Sequence, residues 1–374
     1  MKLNLVIDAS SIFYRSLFTI GAFGSSEKLL ESKESRGVFM RKLAVDFTTL
    51  VKSLDNYNRV VICQDSASWR KAVLISDGGY KSDRKKDASA VNWNSFYDLT
   101  DSFVQILAQK GYIISKINGA EADDLLFLWS KKFNAENENV VLITGDRDLL
   151  QTLKHTSTDR WTIALDPVVN RKKISLVKES FDRASGLISK ASTIDLFNPD
   201  SWIDDTDVLQ KLVSTHETQV IDPVLIALKK VVLGDPGDSV PGIISWPDKK
   251  EPEKTRSLTE NNFNKILTAI PDLSIEGLLA GNNVEAMIEI AKTLKKLDSI
   301  DVELVKKNIA RNVKLVVLSE EVIPQEIQDA FKQKHVTVPY SSVVTTRGEL
   351  LNGTEWWTTQ AAKNTFVPKS YDLF

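Results

Sequence analysis

Residues 139–148 read Asn-Val-Val-Leu-Ile-Thr-Gly-Asp-Arg-Asp, and the fold follows from that stretch. Residues 140–143 are apolar without alternation, the pattern of a strand covered on both faces, as in a parallel sheet. Gly145 then opens a turn that delivers two carboxylates, Asp146 and Asp148. Working outward, the same design recurs. LNLVI (3–7) runs into Asp8, RVVIC (59–63) runs through Gln64 into Asp65, and YIISKI (112–117) leads through a short turn into Glu121, Asp123 and Asp124. Helical stretches such as 38–54 and 93–110 separate them. That alternation predicts an α/β fold with a mostly parallel central sheet flanked by helices. RWTIAL (160–165) and DPVVNRKKISL (166–176) read as a further strand and a hairpin-like return.

These patterns divide the chain into an α/β domain over 1–177, a polar insertion over 178–222, a helical domain over 223–335 and a tail over 336–374. From 223 onward the periodicity predicts helices only: 223–233, 261–270, 284–297 and 325–334. A Pro- and Lys-rich loop, SWPDKKEPEKTRS (245–257), separates the first two, and the tail carries Trp356 and Trp357. No internal repeat is present.

In an open α/β sheet the functional crevice lies outside the carboxyl ends of the strands. The strand-end acids are therefore expected to converge. Any one of them could be a plain loop or capping residue; Asp123 or Asp124 could cap the helix DLLFLWSKKF (124–133). Four successive strands ending in acids point instead to a shared counter-charge. Hard divalent cations with oxygen ligands, Mg²⁺ or Mn²⁺, are the expected one.

Net charge is −2, and setting nine acids aside (the seven above with Asp235 and Asp238) turns it into +7. The remaining surface tolerates a polyanionic partner without demanding one. The single cysteine, Cys63, excludes an internal disulfide and reads as a core residue. No apolar run reaches membrane-span length, and the N-terminus does not read as a signal peptide, so a cytoplasmic protein without membrane partners is expected. His155, His216 and His335 have no zinc-like spacing and read as surface or structural residues. P-loop and G-x-S-x-G motifs are missing. Residues 66–90 carry six cations (Arg70, Lys71, Lys81, Arg84, Lys85, Lys86) against three Asp and leave directly from Asp65. A basic segment there suits an anionic substrate, and two-metal phosphodiester hydrolysis fits the set best.

The ordered series Asp8, Asp65, EADD (121–124), GDRD (145–148) and GDPGDSVPG (234–242) resembles the 5′ nuclease, or flap endonuclease, superfamily, and its phage members most. The resemblance covers about residues 1–335 apart from 178–222. It implies a PIN/flap-endonuclease-like fold with a helix–hairpin–helix element, and a 5′→3′ exonuclease or flap endonuclease on DNA and RNA–DNA duplexes, with RNA primer removal in phage replication as the expected role. It implies two Mg²⁺ ions, replaceable by Mn²⁺. One would be held by Asp8, Asp65, Glu121 and Asp123, the other by Asp146, Asp148 and Asp235, with Asp124 and Asp238 nearby or bridging through water. Lys81 and Arg84 would hold the scissile phosphate. Arg70, Lys71, Tyr80, Lys85 and Lys86 in a 66–90 arch, and Gly237, Ser239 and Gly242 in the hairpin element, would contact nucleic acid. The expected partners are duplexes with 5′ ends or flaps, and a single-stranded DNA-binding protein or other replication proteins. The enzyme is expected as a monomer, in the host cytoplasm if phage-encoded. The second glycine turn usual after P-G-I is missing, which puts the family's monovalent-ion site in doubt. Two other readings remain: a non-catalytic structure-specific DNA-binding protein, and a PIN-type single-strand ribonuclease, against which the arch and hairpin element argue.

Overall fold

The computed structural model describes residues 3–21, 28–52, 54, 57–74, 79–82, 90–168, 172–190, 208–247, 251, 255–338 and 350. Eight strands form the main sheet: β1 (Leu3–Asp8), β2 (Tyr57–Cys63), β3 (Ile113–Ser115), β4 (Asn139–Ile143), β5 (Lys154–His155), β6 (Trp161–Leu165), β7 (Lys173–Val177) and β8 (Glu217–Ile221). Their order is β3-β2-β1-β4-β6-β7-β8, with β5 pairing β6. From β3 to β6 every neighbour in that order is parallel; β7 returns antiparallel to β6, as the hairpin-like reading of 166–176 expected.

Both faces of the sheet are covered. α1 (Ala9–Gly21), α2 (Lys33–Lys52) and α3 (Trp93–Gln109) pack Phe13, Phe39, Phe47 and Phe103 against Leu5, Ile7, Val141 and Ile143. α4 (Ala122–Ala135) packs Leu125, Trp129 and Phe133 against Val6, Val61, Val140 and Leu142 on the other face. Each strand alternates its side chains between two buried faces, which is why the runs are apolar throughout. Each such Val, Leu or Ile gives about 1.5–3 kcal/mol on burial. Register aligns the functional ends: Asp8 lies opposite Cys63, and Ile7 opposite Ile143.

The segment expected as an insertion extends this sheet. α5 (Lys178–Lys190) and α6 (Val208–Thr215) bring Ala184, Leu209 and Leu212 into the same core as Ile174 and Leu176, and β8 pairs parallel to β7 over five positions. β8 is a half-exposed edge strand, so its sequence lacks the apolar signal of the inner strands. Residues 191–207 lie outside the described set.

A second core joins α7 (Pro223–Leu233), α8 (Glu260–Ala269), α9 (Ile275–Leu279), α10 (Val284–Lys295) and α11 (Val302–Val316). The loop expected between the first two is partly a hairpin, β9 (Ser245–Pro247) with β10 (Thr255–Ser257). α12 (Gln325–Lys334) joins the core beneath α4 instead, with Phe331 edge-on to Trp129 and buried His335 tilted against it. The helical domain is therefore not one unit from 223 to 335. Trp356 and Trp357 lie outside the described residues. Among the described residues no helix is long and apolar enough to cross a membrane.

Candidate active site

The strand-end acids are held by two serines that follow β1. Ser10 N–H and Ser11 Oγ donate to the two oxygens of Asp8, at 3.0 and 2.5 Å. Ser10 Oγ donates to Asp65 at 2.7 Å, and Ser11 Oγ accepts from the Gly145 amide at 3.1 Å. Asp65 also accepts from the Ala122 amide at 2.9 Å, at the positive end of α4. Thus the loops after β1, β2 and β4 and the start of α4 are tied together. Sequence reasoning passed over Ser10 and Ser11, although their place directly after Asp8 was the available signal.

Burial then forces these carboxylates against one another. Burial pushes the Asp8 carboxyl up to about 6; Ser11 opposes this, while Asp65 and Asp146 add to it. Asp123 is raised by burial and then by Asp146, Asp8 and Glu121, with Lys81 opposing. Asp148 is raised to about 7 by burial and Asp146, against the pull of Lys230. Asp8, Asp65, Glu121, Asp123, Asp146 and Asp148 therefore lie near enough to feel one another's charge. Asp148, Asp235 and Asp238 offer oxygens that lie within 4.8 Å of one another. An all-oxygen donor set that repels itself fits a hard divalent cation, which binds the deprotonated form.

The GDPGD motif brings the last two acids in. α7 ends at Gly234, whose φ is +76°. A Cβ there would sit 2.3 Å from the Val240 carbonyl oxygen, so only glycine fits. Asp235 accepts from the Gly237 amide at 3.0 Å and caps a short 3-10 turn, Pro236–Asp238. Lys230, one turn before the motif, bonds Asp148 and also Asp235 at 2.6 Å. Burial raises Asp235, but the Lys230 hydrogen bond and charge outweigh it and hold the carboxyl below its ordinary value. Lys230 was not singled out from the sequence, because a Lys in the last turn of a helix is common.

Several expected roles change. Arg70, expected at nucleic acid, is 2% exposed. Its guanidinium donates to both oxygens of Asp124 (2.7 and 3.0 Å), to Glu121 (3.2 Å) and to the Leu315 carbonyl (3.0 Å). Asp124, expected near a metal, is fully buried by that clamp and accepts from Trp69 Nε1 and the Glu121 amide as well. The N-cap of α4 is Glu121, with Asp124 completing a capping box. Tyr80, expected at nucleic acid, is buried in the second core and donates to Glu121 or Asp238 (3.1 and 2.9 Å). Gly242, expected to admit a phosphate, is packed against its own chain: a Cβ would lie 3.1 Å from the Leu233 oxygen and Ser257 Cβ.

Lys81 reaches the cluster, with Nζ 2.5 Å from Glu121 and 3.7 Å from Asp238. Its φ of +60° lies in a turn. Gly237 is exposed, and Ser239 is left-handed at φ 59°, both on the turn beside the cluster. Lys71 is exposed next to Arg70. Arg84, Lys85 and Lys86 lie outside the described residues.

Residues 3–182 match the family described as 5′-3′ exonuclease, N-terminal resolvase-like domain. Residues 3–182 are thus similar to the N-terminal domain of 5′-3′ exonucleases. The chain is 24% identical over 319 residues to a 5′-3′ exonuclease of Buchnera aphidicola subsp. Schizaphis graminum, covering 85% of this chain and 90% of that one. It is 28% identical over 112 residues to ribonuclease H of enterobacteria phage T4, covering 28% of this chain and 36% of that relative's length. A T5 5′-exonuclease structure with bound zinc shares the fold at TM-score 0.53 and 13% identity, over 90% of this chain and 99% of that one. That likeness in fold extends past residue 182.

Proposed function

We propose that the chain is a divalent-metal-dependent 5′→3′ exonuclease and flap endonuclease. Its substrates are 5′ ends and flaps of DNA and RNA–DNA duplexes, and RNA primer removal in phage replication is the role proposed. The observation that carries this reading is the convergence of eight acids from four strand ends and the GDPGD turn, several with carboxyls held above their ordinary values. The match of residues 3–182 to the exonuclease family supports the same reaction class.

Asp8, Asp65, Glu121 and Asp123 would hold one divalent cation, and Asp146, Asp148 and Asp235 another, with Asp238 beside them. Mg²⁺ is proposed, with Mn²⁺ able to substitute. When bound, such ions supply Lewis-acid stabilisation and a more acidic water. The protein's own contribution is preorganisation. Ser10 and Ser11 orient Asp8 and Asp65, and Arg70 fixes Glu121. Burial lowers the Lys81 ammonium, but Glu121 and Asp238 outweigh it and keep the group charged. Lys81 can exchange Glu121 for a phosphate oxygen at the cluster's edge, where charge develops during cleavage. Arg84 and the basic residues around it are proposed to continue that contact.

The test is a set of 5′-labelled flap, nicked and RNA–DNA duplexes incubated with Mg²⁺, with and without chelator. Chelator-sensitive release of short 5′ products is expected. A chain that binds these duplexes without cutting any of them would be a structure-specific binding protein instead.

A further inference from the structure

The last carbonyls of a helix lack intrahelical partners and form the negative end of its dipole. At the end of α7 the chain turns back onto them. Lys230 O accepts from the Gly234 amide at 2.9 Å, and Val232 O from the Ile243 amide at 3.1 Å. The Asp235 amide would continue α7 by bonding Val231 O, but it goes to Val240 O at 2.8 Å instead. Residues 240–243 therefore add their own carbonyls to those of the helix end. The packing is tight: a Cβ on Gly234 would lie 2.5 Å from the Pro241 carbonyl carbon. Oxygens gathered at the negative end of a dipole need a cation or N–H donors. A monovalent ion such as K⁺ would be held there by backbone carbonyls.

α11 supplies the donors itself. Asn308 lies three residues before Arg311 and four before Asn312, so the three share one helical face. Asn312 is buried, and its Nδ2 donates to Val231 O and to Pro241 O, both at 2.9 Å. Arg311 Nη2 donates to Pro241 O at 3.3 Å. Arg311 Nε donates to Asn312 Oδ1 at 2.9 Å, which fixes the direction of the Asn312 amide. Asn308 Nδ2 donates to Ile243 O at 3.1 Å. A carbonyl oxygen has two lone pairs, and both of those on Pro241 are taken. An ion would have to displace a buried amide and a guanidinium that already brings the charge.

We infer that Arg311, with Asn308 and Asn312, is a tethered replacement for a monovalent cation at the turn after α7. The three are positioning residues: the turn carries Asp235 and Asp238, and α11 holds it without an ion. The monovalent-ion site of the family that the sequence resembles does not fit these residues. The inference concerns the construction of the turn, so it holds or fails independently of the nuclease reading.

Urea unfolding of the full chain in chelator tests it, in KCl and in tetramethylammonium chloride at equal concentration. Tetramethylammonium is too large for a carbonyl cage. An ion bound with a dissociation constant one-tenth of its concentration would raise the folding constant about tenfold, whereas the wild-type constants should agree within about threefold. Arg311→Met leaves the Pro241 oxygen one donor short and removes the charge. Its folding constant should become more than about threefold higher in K⁺, and Arg311→Lys, which restores a charge, should return to indifference. Crystals of the wild type soaked in Rb⁺ should show no anomalous peak within coordination distance of the Pro241 and Ile243 oxygens. A larger K⁺ preference in the wild type, a rubidium peak at those oxygens, or an Arg311→Met protein as indifferent to K⁺ as wild type would each overturn the inference. If Arg311→Met does not fold, the two wild-type measurements still decide it.

Discussion

Arg70→Ala should destabilise the protein severely while leaving no signature of a lost phosphate contact. Arg70 is 2% exposed and Asp124 0%, and the guanidinium spans Asp124, Glu121 and the Leu315 carbonyl. Removing it strands a carboxylate in the interior, which costs about 3–5 kcal/mol for a broken buried pair. Total stabilities are roughly 5–15 kcal/mol, so this is a large fraction of the whole. Urea unfolding followed by far-ultraviolet circular dichroism measures the loss. Arg70→Lys, which keeps the charge but not the two-pronged geometry, should fall between wild type and Arg70→Ala. The pair Arg70→Met with Asp124→Leu should recover at least half of the stability, because no buried charge is then left unpaired. A loss under about 1 kcal/mol for Arg70→Ala, together with a salt slope of duplex binding reduced by about 1, would return Arg70 to the nucleic-acid surface and refute the clamp.

Asp146→Asn removes a charge felt by Asp8, Asp123 and Asp148; cleavage in Mg²⁺ should drop at least 10²-fold with duplex binding kept or strengthened, measured by single-turnover kinetics and fluorescence anisotropy. Asp8 gives a pH dependence. Its folded value, about 6, lies above the ordinary 3.8, so the stabilisation is full below pH 4 and is lost as pH rises through 6. That amounts to about 3 kcal/mol, seen as falling stability in chelator from pH 4 to 7 and abolished in Asp8→Asn. Gly234→Ala must move the Val240 carbonyl or its own backbone, so stability should fall by about 1–3 kcal/mol and Mn²⁺ affinity should fall with it, read by calorimetry. Gly242→Val should lower stability through its contact with Leu233, whereas unchanged stability with weakened duplex binding would favour a phosphate-facing role.

Much of the fold was legible because the inner strands are apolar on both faces and end in acids at matched register. LNLVID and NVVLI differ little from any parallel core strand, and their pairing put Asp8 near Asp146. Edge elements were harder to read. β8 is half exposed and needs β7 for its register, so ETQVI carries no local signal. The 245–257 hairpin is short, and it is masked by prolines and lysines that suit a loop equally well. Within the site, charge type was readable but direction was not. Arg70 and Tyr80 sit in a basic stretch whose composition suggests solvent, yet the chain turns both inward because the α4 cap and Asp238 need donors. Lys230 went unnoticed for the opposite reason, since its partners lie on the turn after α7 and in the loop after β4.

These carboxylates are proposed to form one divalent-metal centre. Anomalous diffraction at the manganese edge from crystals soaked in Mn²⁺ tests it most directly. Manganese peaks are expected within coordination distance of the Asp8, Asp65, Glu121 and Asp123 oxygens and of the Asp146, Asp148 and Asp235 oxygens. Lys230 should be displaced from the Asp148–Asp235 pair in the same crystals. Peaks only at scattered surface acids, or none at millimolar Mn²⁺ with Lys230 still bridging that pair, would contradict it.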